Sequence, residues 1–422
     1  MQSLKSRLYR LLRWSEKYTK TDMVYLASGG FWSTAAQVVS SLTVFGFAIL
    51  VAHVLPKAVY GDYKYILATV ALLSSFSLTG IGTAVFQSVA SGFDGALREG
   101  FWQNLRWSVL IFIGAFVLAA YYFAQGNTSF AFGILIGGSL SPLLTSANII
   151  SAFLNAKKDF RRSALYIGII ETLLSVGALA IAVLFTHNPF ILAAVYFLGN
   201  TLATLWIYRR ILRFYKPDPA RTDPGMMTYA KHLSLMGVLS TIAGNIDQVL
   251  LFHFVGPAEL AIYNFAVAIP DQTKGPLKTL NTMMQAKFAA RPDEEIRAGM
   301  RSKMFWLFIS SIIFIILYVL LAPFIYGFFF PNYADAVLYS QIYAISMLSI
   351  AFAPAGSYLA AKKKVREQYI VNIGASVIQI AMMAIGVIFW GLLGLVVARV
   401  IIKIAGNYLV HFIYSMSVPA KA

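Results

Sequence analysis

The sequence predicts an all-α, polytopic membrane protein: about twelve transmembrane helices in two six-helix, parallel-repeat lobes around a central cavity. Composition, the count of apolar stretches and an internal repeat carry that prediction. Of 422 residues, 59% are hydrophobic and 12% charged, against roughly 45–50% and 25% in soluble domains. A helix needs about 20 apolar residues to cross some 30 Å of hydrocarbon, and it pairs its own backbone polar groups on the way. The weak alternating segments of about 10 residues that mark a barrel are missing.

Stretches of spanning length fall at 24–52, 63–90, 105–124, 130–155, 163–186, 190–211, 230–254, 260–286, 304–328, 335–361, 368–389 and 391–414. The basic run "MQSLKSRLYRLLRWSEKYTKTD" precedes a first stretch too long for a signal-peptide core, so that stretch is read as a retained span. Connections after the even-numbered spans carry the charge: Arg98, then Lys157, Lys158, Arg161 and Arg162, then Arg209, Arg210 and Arg213, then Arg291 and Arg297, then Lys362 to Lys364. Odd-numbered connections hold almost nothing basic beyond Lys57. The positive-inside rule therefore places both termini in the cytoplasm, and the net charge of +17 reads as a topology signal rather than a nucleic-acid surface. With no cysteine, disulfides and thiolate metal sites are excluded.

The Pro-rich stretch "RRILRFYKPDPARTDPGMMTYAKH" (209–232) divides the spans into two sets of six. The expected organisation is a basic N-terminus (1–22), a first lobe (23–211), a cytoplasmic linker (212–228), a second lobe (229–415) and a tail (416–422). Two echoes support duplication. "AHVLPKAVYGDY" (52–63) recurs 200 residues later as "FHFVGPAELAIY", and "NAKKDFRR" (155–162) returns as "AAKKKVRE" (360–367). Because six is even, the halves lie parallel.

Ionised groups at mid-membrane are costly, about 2.5–3.5 kcal/mol each on insertion scales, and so mark function or structural pairing. Here they are Glu171 in span five, Asp247 in span seven, Asp271, Lys274 and Lys278 in span eight, and Arg399 and Lys403 in span twelve. Span eight also carries Asn264, Asn281 and Gln285, which with its charges form one stripe at about 100° per residue. Pro270 and Pro276 favour a kink near Asp271. Arg399, Lys403 and Asn407 share a face at i, i+4 and i+8. Alternatives stay open at each: Lys278 snorkels to headgroups, Asp271 pairs with Lys274, Arg399 and Lys403 pair with Glu171 or Asp247, and Asp247 is an ion site or half of a structural pair. Four deep bases against three acids favour an anionic substrate group.

The turn "LPKAVYGDY", the following "LLSSFSLTGIGTA", the run "IDQVLLFHFVGPAELAIYNFAVAI" and the two "AKK" connections resemble the Wzx-type polysaccharide flippases of the multidrug/oligosaccharidyl-lipid/polysaccharide (MOP) exporter superfamily. The resemblance covers nearly the whole chain. It implies lobes like those of the multidrug and toxin exporters (MATE), and movement of an undecaprenyl-diphosphate-linked oligosaccharide from the inner to the outer leaflet of the cytoplasmic membrane. It also implies alternating access driven by an ion gradient. No cofactor is expected beyond a coupling proton or sodium ion, and no Walker A motif is present. Carried onto this chain, the basic cavity of the family implies substrate contacts at Lys274, Lys278, Arg399, Lys403, Asn264 and Asn281, with Asp247, Asp271 and Glu171 as ion-coupling candidates. Its partners would be the lipid-linked glycan, membrane lipids and polysaccharide polymerase or assembly proteins, and not nucleic acid. The chain departs from the lipid II flippase branch in having no basic residue in 24–52 and no thirteenth or fourteenth span.

Two rival readings are a MATE-type drug antiporter, for which the deep bases are the wrong sign, and a membrane-embedded polymerase or ligase. The outer connections "AQGNTS", "THNP" and "FWGLLG" are too short to carry a catalytic domain, so an enzyme is not expected.

Overall fold

Apolar runs become helices, and polar or strained residues between them decide where each helix stops. The computed structural model describes residues 23–272, 284, 288, 292–362 and 365–417, with no strand among them. Lys274, Lys278 and Asn281 lie outside the described residues. The first half comprises α1 (Met23–Val54), α2 (Lys57–Phe76), α3 (Ile81–Ala90), α4 (Ala96–Ala124), α5 (Thr128–Ala156), α6 (Phe160–Phe185) and α7 (Pro189–Tyr215). The second comprises α8 (Met226–Phe254), α9 (Pro257–Asp271), α10 (Asp293–Phe329), α11 (Ala336–Ala361) and α12 (Val365–Ser417).

Local chemistry sets the ends. Asn188 caps α7, its Oδ1 accepting from Phe190 N at 2.9 Å, and Pro189 takes the first helical position, where a missing N–H costs nothing. The sequence predicts one unbroken span over 63–90, but the chain bends by 57° between α2 and α3. No proline is responsible. Ser74 and Ser75 bond back to Val70 O and Leu72 O, and Ser77 turns extended at φ −84°, ψ 178°. Serine hydroxyls that compete for backbone carbonyls end the helix there.

Nine helices among the described residues are long and apolar enough to cross a membrane, and the bent α2–α3 pair makes a tenth. Of these, Ile373–Met416 has 44 residues, twice a membrane thickness, and breaks at Gly391. Gly391 adopts φ 59°, ψ −137°, a conformation that glycine enters without a Cβ penalty. The two arms fold back on each other so closely that a Cβ on Gly394 would lie 2.0 Å from Gly386 O. Counting that helix as two spans, and α9 as the described part of another, gives the twelve that the sequence predicts.

In the first half α4 and α7 pack on α5, and α1 and α7 pack on α6; in the second, α8 and α11 pack on α12 and α9 packs on α11. The halves meet where α2 packs on α9 and α8. One hydrophobic core at the end that holds the two repeated turns draws on both halves, including Tyr63, Ile66, Phe197, Leu260, Phe265 and Tyr326. At the opposite end the cores separate: Val85, Leu97, Phe153 and Ile207, joined by Met226 and Ala230 of α8, fill one, and Phe288, Met300 and Leu359 the other. The halves are therefore packed together at the end of the repeated turns. Here the repeated turns touch: a Cβ on Gly61 would stand 1.8 Å from Pro257 O, so only glycine fits. Lys57 pairs with Asp335 at 2.7 Å, and Asn332 Nδ2 donates to Ala52 O at 2.9 Å across the same seam.

A narrower contact joins the halves toward the opposite end. Gly80 N donates to Ser234 Oγ at 3.0 Å, Ser88 Oγ donates to Asp223 Oδ2 at 2.6 Å, and Gly95 N donates to Arg221 O at 3.0 Å. The chain between α7 and α8 thus clasps the bent second span.

Candidate functional site

The arm of α12 after Gly391 projects Arg399 and Lys403 from one face, one turn apart, as their spacing requires. By the 1.5 Å rise, Arg399 sits about 12 Å and Lys403 about 18 Å from the Gly391 turn. Each cation meets a carboxylate through a tyrosine. Arg399 contacts Asp247 of α8 and also donates to the hydroxyl of Tyr263 of α9, which in turn donates to Asp247 Oδ2. One turn deeper, Lys403 Nζ lies 3.4 Å from Asp271 Oδ1 and donates to Tyr343 Oη at 2.5 Å, and that hydroxyl donates to Asp271 Oδ1 at 2.9 Å. Tyr343 from α11 also places its ring 4.2 Å from Lys403 Nζ and 6.0 Å from the Arg399 guanidinium. Four helices, α8, α9, α11 and α12, are tied together by this double unit.

The two pairs differ in access. Asp247 is 1% and Arg399 15% exposed, whereas Asp271 is 23% and Lys403 28% exposed. Removing ions from water costs several kcal/mol each, so the outer pair persists only through its mutual attraction and the shared phenol. Asp247 Oδ1 still has no hydrogen-bond partner. The inner pair, by contrast, is open enough to exchange its partners.

Glu171 stands apart from this network. It ends the π-helical turn Ser163–Glu171 of α6 and accepts from Thr204 Oγ1 of α7 at 2.9 Å, with no cation in ion-pair range among the described residues. Asn264 donates to Leu260 O at 2.8 Å on its own helix, which leaves its carbonyl oxygen as the group free to recognise a donor. Asn407, on the face of Arg399 and Lys403, likewise donates to Lys403 O at 2.9 Å.

Three participants escape a reading of the sequence. Tyr263 and Tyr343 are conspicuous only as aromatic residues in apolar runs, although Tyr263 is the repeat partner of Tyr63. Lys64 of α2 is the third. Its Nζ sits 5.5 Å from the Tyr60 ring, with no carboxylate in ion-pair range among the described residues. The span read from sequence starts at residue 63 and so puts Lys64 at its edge, whereas α2 starts at Lys57 and carries it seven residues in.

A family model described as "Polysaccharide biosynthesis protein" matches residues 26–271. No curated protein is matched in sequence. Among solved structures, the chain is similar to a MATE-family multidrug resistance transporter of the MOP superfamily in its inward-facing conformation (14% identity, 92% of this chain and 97% of that one, TM-score 0.69). It is also similar to the lipid II flippase MurJ in an inward closed conformation (14% identity, 91% and 87%, TM-score 0.68). A third is a MOP-superfamily transporter from Pyrococcus furiosus, described as having a binding pocket of reverse polarity (14% identity, 93% and 94%, TM-score 0.61). At such identity the likeness concerns the fold, which these transporters share over nearly their full length.

Proposed function

The chain belongs to the polysaccharide biosynthesis protein family, and from that premise we propose that it is a flippase. Its cargo in this reading is an undecaprenyl-diphosphate-linked oligosaccharide, carried from the inner to the outer leaflet of the cytoplasmic membrane, with both termini cytoplasmic. The observation that carries the proposal is the half-open Lys403–Tyr343–Asp271 unit beside the sealed Arg399–Tyr263–Asp247 unit.

Phosphate oxygens and carboxylate oxygens compete for the same ammonium donors. A diphosphate entering from the cytoplasmic side competes with Asp271 for Lys403, and a coupling cation competes with Lys403 for the Asp271 carboxylate. Substrate and coupling ion are then linked through one ion pair, which is the connection an ion-driven cycle requires. Asp247 and Glu171 are further coupling candidates. Lys274, Lys278, Asn264 and Asn281 belong to the same proposal as substrate contacts, and polysaccharide polymerase or assembly proteins as partners.

The test is Lys403→Ala in proteoliposomes, or in cells scored for surface polysaccharide at equal protein level. Losing a charge-assisted contact of about 1.5–3 kcal/mol predicts a drop in transport of roughly 10- to 100-fold. Full transport would remove the phosphate role. Export of cationic dyes against a proton or sodium gradient would favour the drug-antiporter alternative, in which the carboxylates receive the cargo.

A further inference from the structure

The bend between α2 and α3 opens a pocket of about 320 Å³ that the charged network does not reach. Its polar lining comes from Ser74, Ser77, Thr79, Asn104, Thr145, Asn148 and Thr241, and with Ile81 of α3 this brings in α2, α3, α4 and α5 of the first half and α8 of the second. Among the described residues no charged side chain lines it. Ser74, where the bend starts, is 17 residues past Lys57, about 26 Å of helix from the outer end. The pocket therefore lies toward the cytoplasm, beside the Gly80–Ser234 contact of the two halves.

Its hydrogen-bonding groups are sorted. Ser77, Thr145 and Thr241 spend their hydroxyl protons on Ser74 O, Ser141 O and Gly237 O at 2.7, 2.8 and 2.9 Å, which leaves their oxygens as acceptors. Asn104, only 1% exposed, accepts from Leu78 N at 3.2 Å through Oδ1, while its amide nitrogen makes no hydrogen bond. The Asn148 amide is exposed and makes none either. Acceptor oxygens and two amide donors thus share the space with the apolar faces of Leu78, Ile81 and Ile149. Among the described residues a phosphate would find no cation there and a metal ion no carboxylate, and an acyl chain would leave the buried Asn104 amide unpaired. A sugar ring, whose hydroxyls each donate and accept, matches both sets. The volume is at the small end of ligand pockets, roughly 300–1,000 Å³.

We propose that this pocket is a sugar subsite that receives an uncharged hexose or N-acetylhexosamine unit of the cargo. The assignment rests on the flippase reading above. It divides recognition by chemistry: the diphosphate belongs to the cations of the second half, the glycan to the hydroxyl-lined bend of the first.

The experiment compares undecaprenyl diphosphate bearing chitobiose with undecaprenyl diphosphate bearing no sugar, in proteoliposomes of wild type and of the triple variant Thr145→Val, Asn148→Ala, Thr241→Val. In wild type the sugar-bearing lipid should half-saturate transport at the lower concentration. In the triple variant the ratio of the two half-saturation concentrations should shift at least fivefold toward the sugar-free lipid. If the triple variant does not fold, Thr145→Val alone, which removes only a back-bonded hydroxyl, should shift the ratio at least twofold. Equal half-saturation of the two lipids in wild type, or an unchanged ratio in a folded variant, overturns the subsite and leaves the flippase reading standing. Transport of neither lipid by wild type overturns the flippase reading and the subsite with it.

Discussion

Asp247 and Arg399 show how far a single residue can be understood from its surroundings. Each alone is an expense in the bilayer, and together with Tyr263 they form a sealed unit. Asp247→Asn should therefore cost about 3–5 kcal/mol, because it strands the buried guanidinium. The pair Asp247→Leu with Arg399→Met should recover most of that loss, as read by unfolding in detergent; an undiminished single variant would show that the ion pair carries no stability. Outside the membrane, Asp159 offers a pH test. Partial burial raises its carboxyl, but hydrogen bonds from Tyr215, the Arg162 backbone and the Arg162 guanidinium outweigh that and hold it below the usual carboxylate value. A lowered folded pKa stabilises above the unfolded value and ceases to do so as pH falls through the folded one. Asp159→Asn should thus destabilise by about 1 kcal/mol at pH 7, and the difference from wild type should shrink as pH falls through the lowered folded value. The deep charges were legible from sequence because charge inside an apolar run is conspicuous. Their partners were not, because pairing depends on how α8, α9 and α11 rotate about their axes. Arg399 was open to Glu171 or Asp247, and only packing selects Asp247.

At the scale of elements, the apolar runs announced nearly every helix, while the breaks were uneven. The Gly391 turn was readable as a short connection between two spans. The Ser74–Gly80 bend was not, since serines end a helix only when their hydroxyls find the backbone. Gly391→Ala should cost about 1–2 kcal/mol for its left-handed φ. Gly406→Ala on the same helix, where a Cβ meets nothing within 4 Å, should be neutral or stabilising by up to about 1 kcal/mol. Thermal midpoints of the two variants measured together separate backbone strain from packing. The "AKK" echo also gains a meaning that charge counting had missed. Lys157 binds Asp94 at 2.5 Å and Lys362 binds Asp293 at 2.9 Å, so in each half the end of the fourth span is fastened to the start of the third. Lysines read only as topology signals are equivalent struts of a duplicated lobe.

For the whole molecule, one core shared by both halves at the end of the repeated turns and two separate cores at the other describe a structure closed at the first end, which the proposed topology makes the outer one. The seal depends on the repeated turns, so Gly61→Ala, with its Cβ on Pro257 O, should part them. Because the chain has no cysteine, a single Ala261→Cys, fully buried on α9, can report this without background. It should be protected from an impermeant thiol reagent added outside in the parent, and labelled in the Gly61→Ala background. Protection in both would mean that the seal tolerates the methyl group.

The pairing of Asp247 with Arg399 and of Asp271 with Lys403 has an electrical consequence. Among the described residues these four groups sum to zero charge. Moving one uncompensated charge across 100 mV takes about 2.3 kcal/mol, so rocking the empty pairs through the membrane field does almost no electrical work. These four groups therefore add almost nothing to the voltage dependence of the empty stroke, which is left to charges outside the pairs such as Glu171 and Lys64. A proton or an anionic headgroup that joined a pair would add its own charge to the loaded stroke, and with it a response to voltage that the pairs alone do not have.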